Sequence, residues 1–192
     1  MTPDETCAFF ARQGKTVLTF FGYSGTGYEN EAEMLQTVRE ILSRHSPETT
    51  IINIGGTRSG IGAVYPLAKS LDFTTTGIAS SESIDYPEEI SEAADYVCFV
   101  ADKQWGGKLP DSDELSPTSE AMVACSDILV GIGGNDICLD ELLAGEEQGK
   151  PVHFYPAEIN HAWAIRRAER MGSPPPDSFW GAAHKVFGEK EK

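Results

Sequence analysis

The chain is short of positive charge. Its 192 residues include 15 Lys and Arg against 30 Asp and Glu, which gives a formal net charge of −15. A surface of this sign repels nucleic-acid phosphates and anionic lipid. The sequence also lacks an apolar run near the roughly 20 residues of a membrane span, and residues 1–13 lack the apolar core of a signal peptide. We therefore expect a cytoplasmic protein with no nucleic-acid or membrane partner.

The four cysteines form no metal-binding pattern. Cys7, Cys98, Cys125 and Cys138 give no C-x-x-C pair, and none has a histidine at ligand spacing. We therefore predict no zinc site and no other metal site. Cys98 and Cys125 lie in or beside apolar runs, so we expect them to be small core residues.

Short apolar runs alternate with segments of helical periodicity. This alternation predicts an α/β fold with a Rossmann-like, mostly parallel sheet and helices on both faces. The predicted strands are Thr16–Phe21, Thr50–Ile54, Thr74–Ala79, Tyr96–Val100, Ile128–Ile132 and Pro151–Tyr155, and the predicted helices are Glu29–His45, a segment ending near Leu71, Cys138–Gln148 and Ala162–Met171.

The length fits a single domain. We assign residues 1–160 to a Rossmann-like nucleotide-binding domain and residues 161–192 to a C-terminal helical extension and polar tail. Residues 101–117 are polar and form a long loop within this domain. Loops of that length are usually functional or mobile, and Trp105 within it is a candidate lid that stacks on a base.

Three glycine-rich turns follow predicted strands, at residues 22–27 (GYSGTG), 55–62 (GGTRSGIG) and 131–134 (GIGG). Ligands of open α/β sheets bind outside the carboxyl ends of the strands, where glycines let backbone N–H groups approach an anion. No dinucleotide fingerprint and no Walker motif is present, and no cofactor is predicted. We expect a nucleotide-type small-molecule ligand. The candidate ligand-binding residues are Gly22, Tyr23, Ser24, Gly25, Gly55, Gly56, Thr57, Gly60, Gly133, Gly134, Asn135, Asp136 and Cys138.

Residues 126–152 (SDILVGIGGNDICLDELLAGEEQGKPV) resemble the Rossmann-like SLOG superfamily. It includes the "Lonely Guy" phosphoribohydrolases, also labelled lysine decarboxylase-like, and the molybdenum cofactor carrier proteins. Its pattern is A-D and a strand, then [PG]-G-G-x-G-T-x-x-E, a helix and G-K-P-V. Residues 126–127, 133–141 and 149–152 match these three parts without a gap, and residues 55–63 resemble the family's first glycine-rich turn.

The chain departs from the family motif in its glycine turn. Asn135 and Ile137 stand where the family has glycine, and Cys138 stands where it has threonine. Ile137 cannot adopt a positive φ cheaply, whereas an asparagine tolerates it. We therefore expect the phosphate seat of the family to be altered or absent.

The resemblance implies catalytic residues that are only partly present. Glu141 matches the family's glutamate, and a carboxylate there can stabilise an oxocarbenium-like state, orient water or attack as a nucleophile. The Arg-Lys pair of the phosphoribohydrolases aligns with Thr118 and Ser119, so the catalytic arginine is missing from its expected place. Arg58, in the second glycine turn, is the candidate to replace its charge.

These features leave several functions open. The first is a nucleotide or nucleotide-derivative binding protein of the SLOG type. The second is an N-glycosidic hydrolase of nucleoside 5′-monophosphates with Glu141 at the chemistry. The spacing E-x(7)-G-K-P-V is similar to that of nucleoside deoxyribosyltransferases too. The third is a non-enzymatic partner-binding scaffold, favoured if Ile137 or Tyr23 fills the crevice. The resemblance also implies a homodimer or higher homo-oligomer.

Overall fold

Six runs rich in β-branched and aromatic residues form one parallel sheet in the computed structural model, which describes residues 1–188. The spatial order is β4-β3-β2-β1-β5-β6, and all five neighbouring pairs are parallel. The predicted parallel α/β sheet is confirmed. The strands are β1 (Thr16–Gly22), β2 (Thr50–Ile54), β3 (Thr74–Ser80), β4 (Tyr96–Val100), β5 (Ile128–Ile132) and β6 (Val152–Tyr155).

Helices cover both faces of the sheet, because alternate residues of the strands point to opposite sides. Leu18 of β1 belongs to the core on one face, and Val17 belongs to the core on the other. Short 3-10 helices span Gly60–Ala63, Ser81–Asp85 and Pro87–Glu89. The helices are α1 (Pro3–Gln13), α2 (Glu31–Leu42), α3 (Val64–Ser70), α4 (Pro117–Ala124), α5 (Asp136–Glu147), α6 (His161–Arg170) and α7 (Ala182–Phe187).

The C-terminal segment, predicted as a helical extension and a polar tail, contributes apolar residues to the core. Ala183 and Phe187 of α7 are buried in the core beside α5 and β6. Part of the predicted tail therefore completes the fold. Residues 189–192, with the Glu-Lys repeats, lie outside the described residues. The division of the chain at residue 160 stays a prediction.

The order in which strands are added to the sheet reverses between β1 and β5. Strands β2, β3 and β4 lie one after another on one side of β1, and β5 and β6 lie on its other side. In open α/β sheets this switch point leaves a crevice at the carboxyl ends of the strands. The glycine-rich turns after β1, β2 and β5 all lie at this edge of the sheet, because these strands are parallel.

The turns after β1 and β2 pack directly on each other. The Ile61 N–H donates to the Tyr23 carbonyl oxygen at 2.7 Å. Gly60 has a φ of 60°, and a Cβ there would clash with the carbonyl oxygens of Tyr23 and Ser24. Only glycine fits both the backbone conformation and the space at this position.

We predict that Gly60→Ala destabilises the protein by about 3 kcal/mol, because overpacking against backbone atoms adds to the strain of a positive φ. Gly25→Ala is the matched control, since a Cβ at Gly25 meets nothing within 4 Å. The control is expected to change stability by less than about 0.5 kcal/mol. Urea unfolding of both variants checks this, and equal stabilities would contradict the packing of the two turns.

Candidate functional site

A cavity of about 390 Å³ opens at the carboxyl ends of β1, β2, β3 and β5. Its volume falls in the range of small-molecule sites. It brings together candidates from the first two glycine-rich turns and from the start of α5, which follows the third turn. The predicted site residues that line it are Gly22, Ser24, Gly25, Gly55, Thr57, Asn135, Cys138 and Glu141.

Other predicted ligand-binding residues shape the turns rather than line the cavity. Tyr23 is 1% exposed, and its hydroxyl donates to the Ala157 carbonyl at 3.2 Å and accepts from the Gly181 N–H at 2.9 Å. Burial raises the pKa of this hydroxyl. Gly133, with a φ of 58°, packs against the Tyr23 ring. Tyr23 is therefore a core residue beneath the turns.

The remaining predicted residues also lie outside the lining of the cavity. Gly56 and Gly60 are buried glycines with positive φ, and both pack tightly against neighbouring chain. Gly134 has a φ of 118°, and a Cβ there would clash with the Cys138 thiol. Asp136 is exposed at the start of α5.

Arg58 is not brought to Glu141. Its side chain is exposed, and Nη1 donates to the Glu88 carbonyl at 2.8 Å. It does not line the cavity, and neither does any other arginine, lysine or histidine of residues 1–188. The acidic lining residues are Glu89 and Glu141. The replacement of the missing arginine by Arg58 gains no support from this placement.

Glu141 is buried at the cavity wall with 6% of its surface exposed. Its Oε1 accepts a hydrogen bond from Ser119 Oγ at 2.6 Å. Ser119 Oγ in turn accepts from the Gly107 N–H at 2.7 Å, which ties the long loop to α4 and α5. Burial raises the pKa of Glu141 to about 8, with Ser119 opposing and Asp140 adding to the shift. The side chain is therefore mostly protonated at pH 7, as a hydrogen-bond donor or general acid requires.

The altered motif residues at the start of α5 are accommodated without strain. Asn135 has a φ of −87°, and positive φ in this turn occurs at Gly133 and Gly134. Ile137 is 41% exposed and packs under Gly106 and Gly107 of the long loop. The bulky side chain at the family's glycine position is thus matched by two glycines opposite it.

The first turn of α5 meets the cavity through three residues. Asn135, Ile137 and Cys138 all line it, and the Asn135 side chain does not cap the helix. Uncapped amides at a helix N-terminus attract anions. Burial raises the pKa of the Cys138 thiol well above its usual value, so this group adds no negative charge there.

Several other residues that line the cavity carry only a weak sequence signal or none. Ser80 is the last residue of β3, Ser83 follows that strand, and Ile90 lies farther along the same connection. Ser119 was found only as the position of a missing basic residue. Its role as the partner of Glu141 carries no sequence signal, because it depends on the approach of α4 to α5.

Comparisons with known proteins bear on the fold. No family model matches the chain, and no curated protein does. The structural genomics target TM1055 shares 18% identity and a TM-score of 0.52, over 71% of this chain and 72% of its own. The molybdenum cofactor carrier protein of Chlamydomonas reinhardtii shares 20% identity and a TM-score of 0.52, over 82% of this chain and 98% of its own. The molybdenum cofactor binding protein of Rippkaea orientalis shares 15% identity and a TM-score of 0.55, over 82% of this chain and 85% of its own.

The chain has the fold of these proteins. The fold that the resemblance implies is confirmed. Within residues 1–188, no group of three or more His, Cys, Asp and Glu is placed to hold a metal ion. Among the described helices, none combines the length and apolar character that a bilayer span needs.

We predict that the wild type loses stability as the pH rises towards 8, and that Glu141→Gln removes most of this loss. The wild-type carboxyl has a pKa of about 8 when folded and about 4.5 when unfolded. Below pH 4.5 it is protonated in both states. As the pH rises towards 8, only the unfolded state releases the proton, so the wild type loses up to about 4 kcal/mol.

Urea unfolding between pH 5 and pH 8 measures this loss. Glu147→Gln is the matched control, because Glu147 is exposed on the same helix. The control is expected to follow the wild-type profile, while Glu141→Gln is flatter. Identical profiles for Glu141→Gln and the wild type would contradict the burial of a raised-pKa carboxyl.

Proposed function

We propose that the protein binds a nucleotide or nucleotide-derived small molecule in the cavity at the switch point. The observation that carries the proposal is the convergence of the glycine-rich turns after β1 and β2, together with the uncapped start of α5, on one cavity of about 390 Å³. A nucleotide needs one region for an anion and one for a ring with hydrogen-bonding groups. The cavity offers both.

The phosphate is placed at the first turn of α5. The amides there and the helix dipole favour an anion. Gly25 and Gly55 line the same cavity without a side chain, which allows the backbone to approach the ligand. No lysine or arginine of the described residues lines the cavity, so binding depends on backbone donors. We expect affinity to fall only weakly with salt, because few exposed ion pairs are involved.

Glu141, which lies one turn farther along α5, also supports the proposal. A protonated carboxyl donates a hydrogen bond, whereas a carboxylate only accepts. Ser119 holds one oxygen of this group. The neutral acid can therefore face an acceptor atom of the ligand without repelling its phosphate.

Two structural neighbours are described as a carrier and a binder of the molybdenum cofactor. That cofactor is accordingly a second ligand to test beside the nucleotides. The scaffold alternative is favoured less, because Tyr23 lies in the core and Ile137 forms part of the cavity wall. The cavity keeps a volume of about 390 Å³ with both side chains in place.

A second candidate function is hydrolysis of a nucleoside 5′-monophosphate. The observation in its favour is the raised pKa of Glu141, which suits a general acid. Water would attack C1′ of the ribose, the bond from C1′ to the base nitrogen would break, and Glu141 would give its proton to that nitrogen. The resulting Glu141 carboxylate would then take up the proton that the attacking water releases. The missing arginine favours binding without turnover. The proposed assembly is a homodimer or higher homo-oligomer, as the resemblance implies, and light scattering of the purified protein tests it.

We predict that isothermal titration calorimetry detects binding of one or more nucleoside 5′-monophosphates, and that Gly55→Leu weakens it at least about tenfold. A side chain at Gly55 enters the cavity, while its Cβ meets nothing within 4 Å. An unchanged thermal midpoint controls for the fold. No binding of any nucleotide or of the molybdenum cofactor at millimolar concentration would overturn the proposal.

A base-release assay separates the two candidate functions. We expect the wild type to bind without releasing free base from the same nucleotides. Release by the wild type that is lost in Glu141→Gln would instead establish the hydrolase, and chromatography of the free base would identify its substrate.

A further inference from the structure

An exposed tryptophan stands at the mouth of the cavity. Trp105 is 59% exposed and lines the cavity from the long loop. Its ring centroid lies 5.8 Å from that of Tyr86, which is 49% exposed. Two large aromatic side chains side by side in solvent are unfavourable unless a ligand or partner covers them.

The loop that carries Trp105 is fixed on both sides of this residue. Before it, the buried Asp102 carboxylate accepts from the Gln104 N–H at 2.7 Å and the Thr118 N–H at 3.0 Å. Burial opposes ionisation of Asp102, but these bonds outweigh it and lower its pKa. After it, the Gly107 N–H donates to Ser119 Oγ. The backbone on both sides of Trp105 is therefore anchored to α4.

We propose that Trp105, with Tyr86 beside it, is the stacking surface for a planar heteroaromatic ring of the ligand, of purine or similar bicyclic type. This inference rests on the proposed binding function and names the part of the ligand that this region takes. The phosphate end lies at α5, and the ring lies under the long loop.

Because the cavity lacks positive side chains, stacking of the ring supplies a large share of the binding affinity. Glu89 and Glu141 line the cavity and no basic residue of the described chain does, so the phosphate gains no ion pair. Stacking on an aromatic face does not require a charge of either sign. The negative face of the indole further favours an electron-poor ring.

The test compares two ligands across aromatic variants by calorimetry. Adenosine 5′-monophosphate carries a ring, and ribose 5-phosphate does not. Trp105→Ala is expected to weaken binding of the nucleotide about 5- to 100-fold and to leave ribose 5-phosphate unchanged. Trp105→Phe keeps a stacking face and retains most of the nucleotide affinity. Tyr96→Ala is the control, because Tyr96 is an exposed aromatic at the opposite end of its strand from the cavity.

Each outcome decides a different point. Wild-type binding of the nucleotide with no change in Trp105→Ala overturns the stacking surface and leaves the proposed function standing. An equal loss for both ligands also overturns it, since the loop would then act only on the fold of the site. If the wild type binds neither ligand, nor any other nucleoside monophosphate, nor the molybdenum cofactor, the proposed function and the stacking surface are overturned together.

Discussion

The site depends on the close approach of β1 and β5 at the switch point of the sheet. A Cβ at Gly22 would clash with the Tyr28 hydroxyl and lie 2.8 Å from the Ile132 carbonyl oxygen. That hydroxyl donates to the same carbonyl at 2.9 Å and accepts from the Tyr23 N–H at 3.2 Å. The turn after β1 is thereby closed onto the end of β5. The other two glycine turns pack around this junction, and the cavity is the space they leave.

The electrostatics of the cavity follow from burial rather than from ion pairing. This chain has a net charge of −15. Proteins usually hold a phosphate with a basic side chain. The described residues place none in the lining. Glu141 stays compatible with an anion because burial keeps it mostly neutral, and the start of α5 supplies dipoles instead of charge. Ser119 joins this acid to the long loop.

The sequence predicted the sheet well and the site only in part. Thr50–Ile54 and Ile128–Ile132 have the predicted bounds, because strands covered on both faces are apolar throughout. The hydrophobic periodicity did not predict helix α4, because this helix is buried on more than one side. The glycine turns located the cavity, but spacing alone could not separate Tyr23, which points into the core, from residues that face a ligand. The partner of Glu141 and the position of Trp105 depend on tertiary contacts that no local pattern records.

The most direct test of this account is an amide NMR titration of the protein with adenosine 5′-monophosphate. We expect chemical-shift changes concentrated in three places: the turns at residues 24–25 and 55–57, the start of α5 at residues 135–138, and the indole N–H of Trp105. Changes confined to the surface around α6, or no changes at millimolar nucleotide, would contradict a nucleotide site at the switch point.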